Sequence, residues 1–503
     1  MICMLYWIYK IVSPNNENIL SSMKKLIEIF NVVPNITDKI RSAYGRDRDR
    51  ILYSKDFLRL GGKTQIFVEG YDDHMRNRLT HTLEVAQISN TISTNFNLNI
   101  DLTSAIAYGH DIGHTPFGHA GERVLNKIMN GCYKINQSEV KIFKNNRGFK
   151  HNWHGLRVLN ELNKRYTGEV GFEVNKYTEW GILHHTKLHY NLCKRIVKDK
   201  NILKCGNYTD SSTICKSKGG FCLGFYQTKY KEIEKIDYLT LEALIVEKAD
   251  EIAQRHHDIE DGLIGKLITI ENITKLFPAN GDNIYEKLND DEKKIIDDFV
   301  SGDMKKMDPI LKKLSHLLIN VYVRDLITSS TRKMQDYVDK YKLTKKNQFH
   351  EHKIANNNIE EIQGLIDFSD DLKKIDKKLK EYLKSSILNS LIAQSMDSKA
   401  EYVILKLVNA YIRNPQYLPK KTINDVFSRI NKTYPKFISD EEANNPREFI
   451  SDKHFTKLQN PHYINYFLRG ICDFIAGMTD DFAYKQYNLI YGTNKMNFDK
   501  YNE

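Results

Sequence analysis

No stretch of this sequence is long and apolar enough to cross a membrane as a helix. The best run, MICMLYWIYKIV at the start, is about a dozen residues broken by Lys10, where a span needs roughly 20. No small-residue cleavage site follows it, so neither an anchor nor a secretory signal is expected. The seven cysteines are an odd set, which argues against a disulfide framework and for reduced thiols in a cytoplasm. Four of them, Cys193, Cys205, Cys215 and Cys222, lie close together without a C-x2-C pair, so a zinc knuckle is poorly supported. Strand-like alternation is scarce, with Gln65 to Val68 and Gly219 to Tyr226 the best candidates for short hairpins. No fixed-period repeat, Walker loop, G-x-S-x-G elbow or dinucleotide-binding fingerprint is present.

What the chain does have is a globular balance, with 41% hydrophobic and 28% charged residues over 503 positions. Apolar residues recur at spacings of three and four, as in Leu79, Leu83, Ala86 and in Leu241, Leu244, Ile245, Ala249, Ile252. That pattern predicts a mainly α protein. The net charge of +11 suits an anionic partner, although lysine and asparagine are abundant throughout. Polar breaks suggest an N-terminal extension (1–45, with residues 1–22 peripheral), a core (46–345) and a C-terminal helical region (359–503). The core carries a cysteine-containing insertion at 191–236, and the tract Lys342 to Asn358 reads as the junction. The lysines of Asp370 to Lys384 read as the solvated face of a helix, and RDRDR (Arg46 to Arg50) as a salt-bridge network or subunit contact.

The chemistry concentrates in GHDIGHTPFGHAGE, Gly109 to Glu122, which places three histidines, an aspartate and a glutamate within fourteen residues. The preceding DLTSAIAY is helical in pattern, so His110 and Asp111 fall at a helix end before a turn made by Gly113 and Pro116. Both side chains can reach one ion there. His81, in RNRLTHTLEVAQ, and Asp250, among Ile245, Ala249 and Ile252, supply a second half, because a lone buried carboxylate needs a cation. Two imidazoles and two carboxylates suit Mn²⁺, Mg²⁺ or another octahedral first-row ion with open positions, as a hydrolase requires. His119 and Glu122 stand three apart on the next helix, where a carboxylate can fix an imidazole for acid/base work. Arg78, three residues before His81, can reach phosphate oxygens, and Asp258 shares a helical face with Asp250 and Gln254.

Taken in order, RDRDRILYSKDFLRLGGKTQIF, RNRLTHTLEVAQ, GHDIGHTPFGHAGE, FKHN, ADEIAQRHHDIEDGL and DFIAGMTDDFA resemble the HD-superfamily deoxynucleoside triphosphate triphosphohydrolases, the bacterial dGTPase-like enzymes. These motifs span roughly residues 46 to 483. The resemblance implies an HD-domain helical fold with a C-terminal extension, and hydrolysis of a dNTP to deoxynucleoside and tripolyphosphate. It implies His81, His110, Asp111 and Asp250 as metal ligands, His119 with Glu122 as the catalytic pair, His151 near the phosphates and Gln65 near the sugar. A homo-oligomer, and a nucleotide or single-stranded DNA effector, are implied with it. The chain departs from the family at Gln254 and Phe474, where tyrosine is common, and at His154, where glutamine is common. Two rivals remain: another HD phosphohydrolase that releases phosphate or pyrophosphate, and a nucleic-acid-binding regulator that has kept the fold.

Overall fold

The computed structural model describes residues 25–31, 41–65, 76–135, 142–163, 170–186, 223–269, 272–273, 293–294, 307–345, 348–356, 358–433 and 461–492. The helices used below are numbered in chain order: α1 (Ala43–Leu52), α2 (Arg78–Asn95), α3 (Ile100–Gly109), α4 (Gly118–Met129), α5 (His151–Arg157), α6 (Lys176–His184) and α7 (Leu241–Ile264). After them come α8 (Met307–Tyr341), α9 (Asp370–Leu383), α10 (Leu391–Arg413), α11 (Lys420–Thr433), α12 (Pro461–Ala476) and α13 (Asp480–Tyr491). Among the described residues there is no strand, only an isolated antiparallel bridge between Thr64 and Asn77. None of the described helices is long and apolar enough to cross a membrane.

Local chemistry starts the site-bearing helices where they start. Asn77 accepts from the Thr80 amide at 3.0 Å, Asn99 from Leu102 at 3.0 Å and Thr240 from Ala243 at 3.3 Å, capping α2, α3 and α7. The RDRDR tract lies in α1 and bonds inside the chain. Arg48 pairs with Asp101 at 2.5 Å, while buried Asp47 accepts from the Asn175 amide and the Thr178 hydroxyl, both at 2.9 Å. These bonds pin α1 across the starts of α3 and α6.

Two apolar cores form. The first joins α1, α2, α3, α6, α7, α8 and α9 through residues such as Ile51, Ile92, Ile106, Ile182, Ile245 and Leu326. The second joins α4 to α10, α11 and α12 through Val124, Ile404, Val426 and Ile471. Helices α3 and α6 approach closely because each offers a glycine to an isoleucine of the other: a Cβ at Gly109 would strike Ile182, and one at Gly181 would strike Ile106. His110 directly follows Gly109, so this lock fixes the first residue of the chemical motif.

Two expectations change. Gly224–Tyr230 is a short helix and not part of a hairpin, because Tyr226 is fully buried and the Arg469 guanidinium lies 4.3 Å from the Phe225 ring and 5.4 Å from that of Tyr226. The Lys342 to Asn358 tract contains a helix, Gln348–Asn356. Its Phe349 meets the Phe30 ring at a tilt of 45° with centroids 4.8 Å apart, and its Lys353 donates to the Leu239 carbonyl at 2.6 Å and the Asp237 carbonyl at 3.0 Å. Residues 1–22, the cysteines Cys193, Cys205, Cys215 and Cys222, and residues 66–68 lie outside the described residues.

Glu247 on α7 is buried with Gln363 as a hydrogen-bond donor at 3.1 Å, and burial, aided by Glu251 and Asp367, pushes its carboxyl from 4.5 up to about 7. A raised folded pKa means that this group's stability is full below about 4.5 and is lost as pH rises through about 7. Glu247→Gln should therefore melt higher than the parent at pH 8. The gap should close as the pH falls toward 5, read from thermal melts across that range.

Candidate metal and phosphate site

Helix α3 ends at Gly109, His110 keeps helical backbone, and the chain turns through residues 111–117 before α4 begins at Gly118. Two constraints set this turn. Gly113 lies against α5 so closely that a Cβ would strike the His151 carbonyl and the Gly155 amide. Phe117 adopts the left-handed region (φ 60°), costly for an aromatic residue, and is held there by its amide donating to Asp480 at 2.7 Å. Asp480 also accepts from the Thr64 amide at 3.0 Å and from the Thr64 hydroxyl, so one carboxylate at the start of α13 fastens both the turn and the segment leading to Gln65.

Around the turn, three of the four residues expected as ligands form one group, and Asp111 lies beside it. His81 Nε2 lies 3.0 Å from Asp250 Oδ1, and donor atoms of His81, His110 and Asp250 all lie within 4.8 Å of one another. Asp111 Oδ1 is 3.6 Å from His110 Nε2. The His110 Nδ1–H donates to the Ala107 carbonyl at 2.6 Å, which leaves Nε2 with its lone pair, fully buried and without a partner. A buried acceptor left unmade costs about 1–3 kcal/mol, and its neighbours are two carboxylates and another imidazole. This donor set and the orphaned nitrogen fit a divalent ion.

The charge balance is tight. Burial works to raise the Asp111 carboxyl, but His114, His110 and Arg78 outweigh it and hold it well below the carboxylate range. Arg78 Nη1 donates to Asp111 Oδ2 at 2.6 Å, and His114 Nε2 lies 3.1 Å from Oδ1. Against the same burial, the His81 hydrogen bond brings Asp250 down to about 2. Both carboxylates therefore stay ionised at neutral pH.

Beside these residues stands a wall of imidazoles. His114 stacks on His151 with ring centres 3.7 Å apart, and donor atoms of Asp111, His151 and His185 lie within 4.8 Å of one another. Glu122 accepts from the His151 amide at 2.9 Å, from His151 Nδ1 and from Lys150 at 2.8 Å. His151 Nε2 is consequently left as a buried lone pair without a partner. Burial pushes His151 down to about 3 and His114 well below its ordinary value, so both rings are neutral at pH 7. His119 is 57% exposed, with Nδ1 3.9 Å from Glu122 Oε1, so the nearer imidazole partner of Glu122 is His151.

The substrate-side residues take different positions. Gln65 Oε1 is buried without a partner, and the Gln65 backbone runs beside Gly118, next to the Arg78 guanidinium. Asp258, two turns after Asp250 on α7, is pushed up to about 6 by burial. Gln254 points to solvent. His154 and Phe474 line a cavity of about 540 Å³ with Lys55, Arg59, Lys421 and Arg429, and none of the four ligand residues borders it.

Sequence reasoning passed over His114, His185, Lys150, Lys63 and Asp480. His114 was visible in the motif, three residues after Asp111, a spacing that a tight turn brings together as a helix would. Lys63 had no signal at all. Its ammonium is buried and donates to the His114 carbonyl and, at 3.0 Å, to the Ala476 carbonyl; burial lowers it to about 8.

An HD-domain family model matches residues 78–255, the stretch that contains the four residues expected as ligands. The chain is 30% identical to a deoxyguanosinetriphosphate triphosphohydrolase-like protein of Geobacter sulfurreducens, over 90% of this chain and 89% of that protein. It is 28% identical to the protein of the same description from Rickettsia prowazekii, over 90% of this chain and 93% of that one.

Asp480 touches no ligand, yet it holds both sides of the site. Asp480→Ala should lower unfolding stability by about 3 kcal/mol, from the loss of charged hydrogen bonds to buried amides. Denaturant unfolding checks this, and any divalent ion that the parent binds should be bound more weakly by the variant at temperatures where both remain folded.

Proposed function

The chain belongs to the HD-domain family of deoxyguanosinetriphosphate triphosphohydrolase-like proteins, and from that membership we propose that it is a metal-dependent dNTP triphosphohydrolase that releases deoxynucleoside and tripolyphosphate. The observation that carries the metal half of this reading is His110 Nε2, buried and unpartnered among His81, Asp111 and Asp250. Those four residues would hold Mn²⁺ or Mg²⁺, which when bound neutralises phosphate charge.

The remaining work falls to the chain's own side chains. Water adds to the α-phosphorus and the bond from that phosphorus to the 5′ oxygen breaks. The hydroxyl ends on tripolyphosphate and the proton on the deoxynucleoside. Glu122 orients His151 so that a lone pair, not a proton, is presented at Nε2, where it can accept a hydrogen bond that orients the attacking water. His119, at the solvent-facing edge and 3.9 Å from the other Glu122 oxygen, is placed to return a proton to the leaving oxygen. Arg78, already charged and aimed through Asp111, supplies a fork for phosphate oxygens. The neutral imidazoles of His114 and His151 add hydrogen-bonding capacity without repelling Arg78.

Selection of the sugar falls to Gln65 and Asp258. The buried Gln65 amide oxygen lacks a donor, which a sugar hydroxyl supplies. Homo-oligomeric assembly, a cytoplasmic setting and response to a nucleotide or single-stranded DNA belong to the same reading and rest on family membership alone.

Anion-exchange analysis of reactions with Mn²⁺ and each dNTP, singly and mixed, should show tripolyphosphate and deoxynucleoside. Asp111→Ala should reduce both by at least about 10³-fold, the scale for loss of a group that stabilises phosphoryl charge. Orthophosphate or pyrophosphate as the product would replace this reading with the other HD phosphohydrolase. Gln65→Ala should raise KM for dNTPs by about 10-fold, the size of one lost hydrogen bond, and narrow discrimination against ribonucleotides in the same assay.

A further inference from the structure

His110 and His81 face the same centre, but their outer nitrogens are held differently. His110 Nδ1 donates to a backbone carbonyl. His81 Nδ1 instead meets another imidazole, His257 Nδ1, at 3.2 Å, with the two rings nearly perpendicular at 70°. His257 Nε2 then lies 2.5 Å from Glu84 Oε2. The spacing that builds this chain is helical on both sides. His81 and Glu84 are three apart on α2, Asp250 and His257 seven apart on α7, so each helix presents one ligand and one supporting residue on the same face.

The order of protons along the chain follows from its ends. A carboxylate only accepts, so the His257 nitrogen facing Glu84 carries a hydrogen. Two Nδ1 atoms in contact cannot both carry one. With a metal on His81 Nε2, the His81 proton resides on Nδ1 and the His257 Nδ1 accepts it. We propose that Glu84 and His257 are positioning residues that fix the tautomer and ring orientation of His81, so that its Nε2 lone pair is aimed at the metal. Glu84 is itself braced: Arg76 Nε donates to its Oε1 at 3.2 Å, and His256 Nδ1 lies 3.1 Å from Oε2. His256 in turn lies 3.3 Å from Glu260, which pairs with Arg76 at 2.5 Å.

Glu84, His256 and His257 also bring three donor atoms within 4.8 Å, the geometry of a second ion site. The guanidinium of Arg76 already supplies the positive charge there, and the other His257 nitrogen is committed to His81. The cluster is a support and not a second site.

This inference rests on the metal-site reading given above, and the test separates the two. Mn²⁺ binding is titrated by electron paramagnetic resonance on the parent protein, Asp111→Ala, Glu84→Gln, Glu84→Asp and His257→Ala. The expected result is one Mn²⁺ per chain, an affinity 10–100-fold weaker in Glu84→Gln and His257→Ala, and partial recovery in Glu84→Asp, which restores the acceptor. A glutamine can offer an N–H to His257 and so reverse the chain, which is why it is the sharper substitution. Unchanged affinity in both variants overturns the inference while the metal site stands. Two ions per chain, of which one is lost in Glu84→Gln, overturns it in favour of a second site. No binding by the parent overturns the inference and the metal-site reading together. A neutron structure of the Mn²⁺-loaded parent needs no variant to fold. Hydrogen on His81 Nδ1 and His257 Nε2, with none on His257 Nδ1, supports the chain, and hydrogen on His257 Nδ1 refutes it.

Discussion

Asp111 lies below the surface with Arg78 at 2.6 Å and His114 at 3.1 Å, and this contact governs the arrangement around it. A buried carboxylate without a cation costs several kcal/mol, so Arg78 must reach inward from the first turn of α2, and the His114 ring, folded back within the turn, adds a neutral hydrogen-bond donor. Once they do, His81 is carried inward one turn along α2, and His110 is held beside Asp111 by the glycine lock between α3 and α6. The α7 helix completes the set by laying Asp250 against His81. Glu122 repeats the same solution a short way off, with Lys150 and His151 as partners.

The sequence was most legible where local spacing and chemistry agreed. Apolar periodicity identified the helices, and the clustering of His81, His110, Asp111 and Asp250 was readable because a lone aspartate on an apolar face demands a counter-charge. The pairing of Glu122 was less legible. Three-residue spacing pointed to His119, but Glu122 also meets His151, 29 positions later, and no periodicity can report a contact between α4 and α5. Lys63 was silent for the same reason: its acceptors are backbone carbonyls, which carry no residue identity. The short aromatic run before Tyr226 alternates as a strand would, and only the Arg469 guanidinium against Phe225 and Tyr226 explains why that segment is helical.

Much of the charge in this chain is internal. The RDRDR tract contributes to bonds with α3 and α6, and Arg157, itself buried, forms a two-point pair with Asp473 at 2.9 and 2.7 Å that joins α5 to α12. Arg429 of α11 reaches the same carboxylate at 3.0 Å. These pairs cancel within the chain and leave its net charge of +11 unchanged, so their work is orientation and not attraction of an outside partner. Bidentate arginine pairs of this kind set orientation as well as attraction, which matters for α5 because it carries His151.

The fastenings of the turn come from the far end of the chain: the Ala476 carbonyl receives Lys63, and Asp480 receives Thr64 and Phe117, over separations of 413, 416 and 363 residues. On the ribosome, every metal-ligating residue proposed here emerges long before these anchors do. The nascent chain can form α2, α3 and α7, but its turn stays unclamped until α12 and the start of α13 have left the exit tunnel. The turn is therefore completed late, after synthesis of the last helices, and half-made chains carry the proposed ligands without the clamp that sets their spacing.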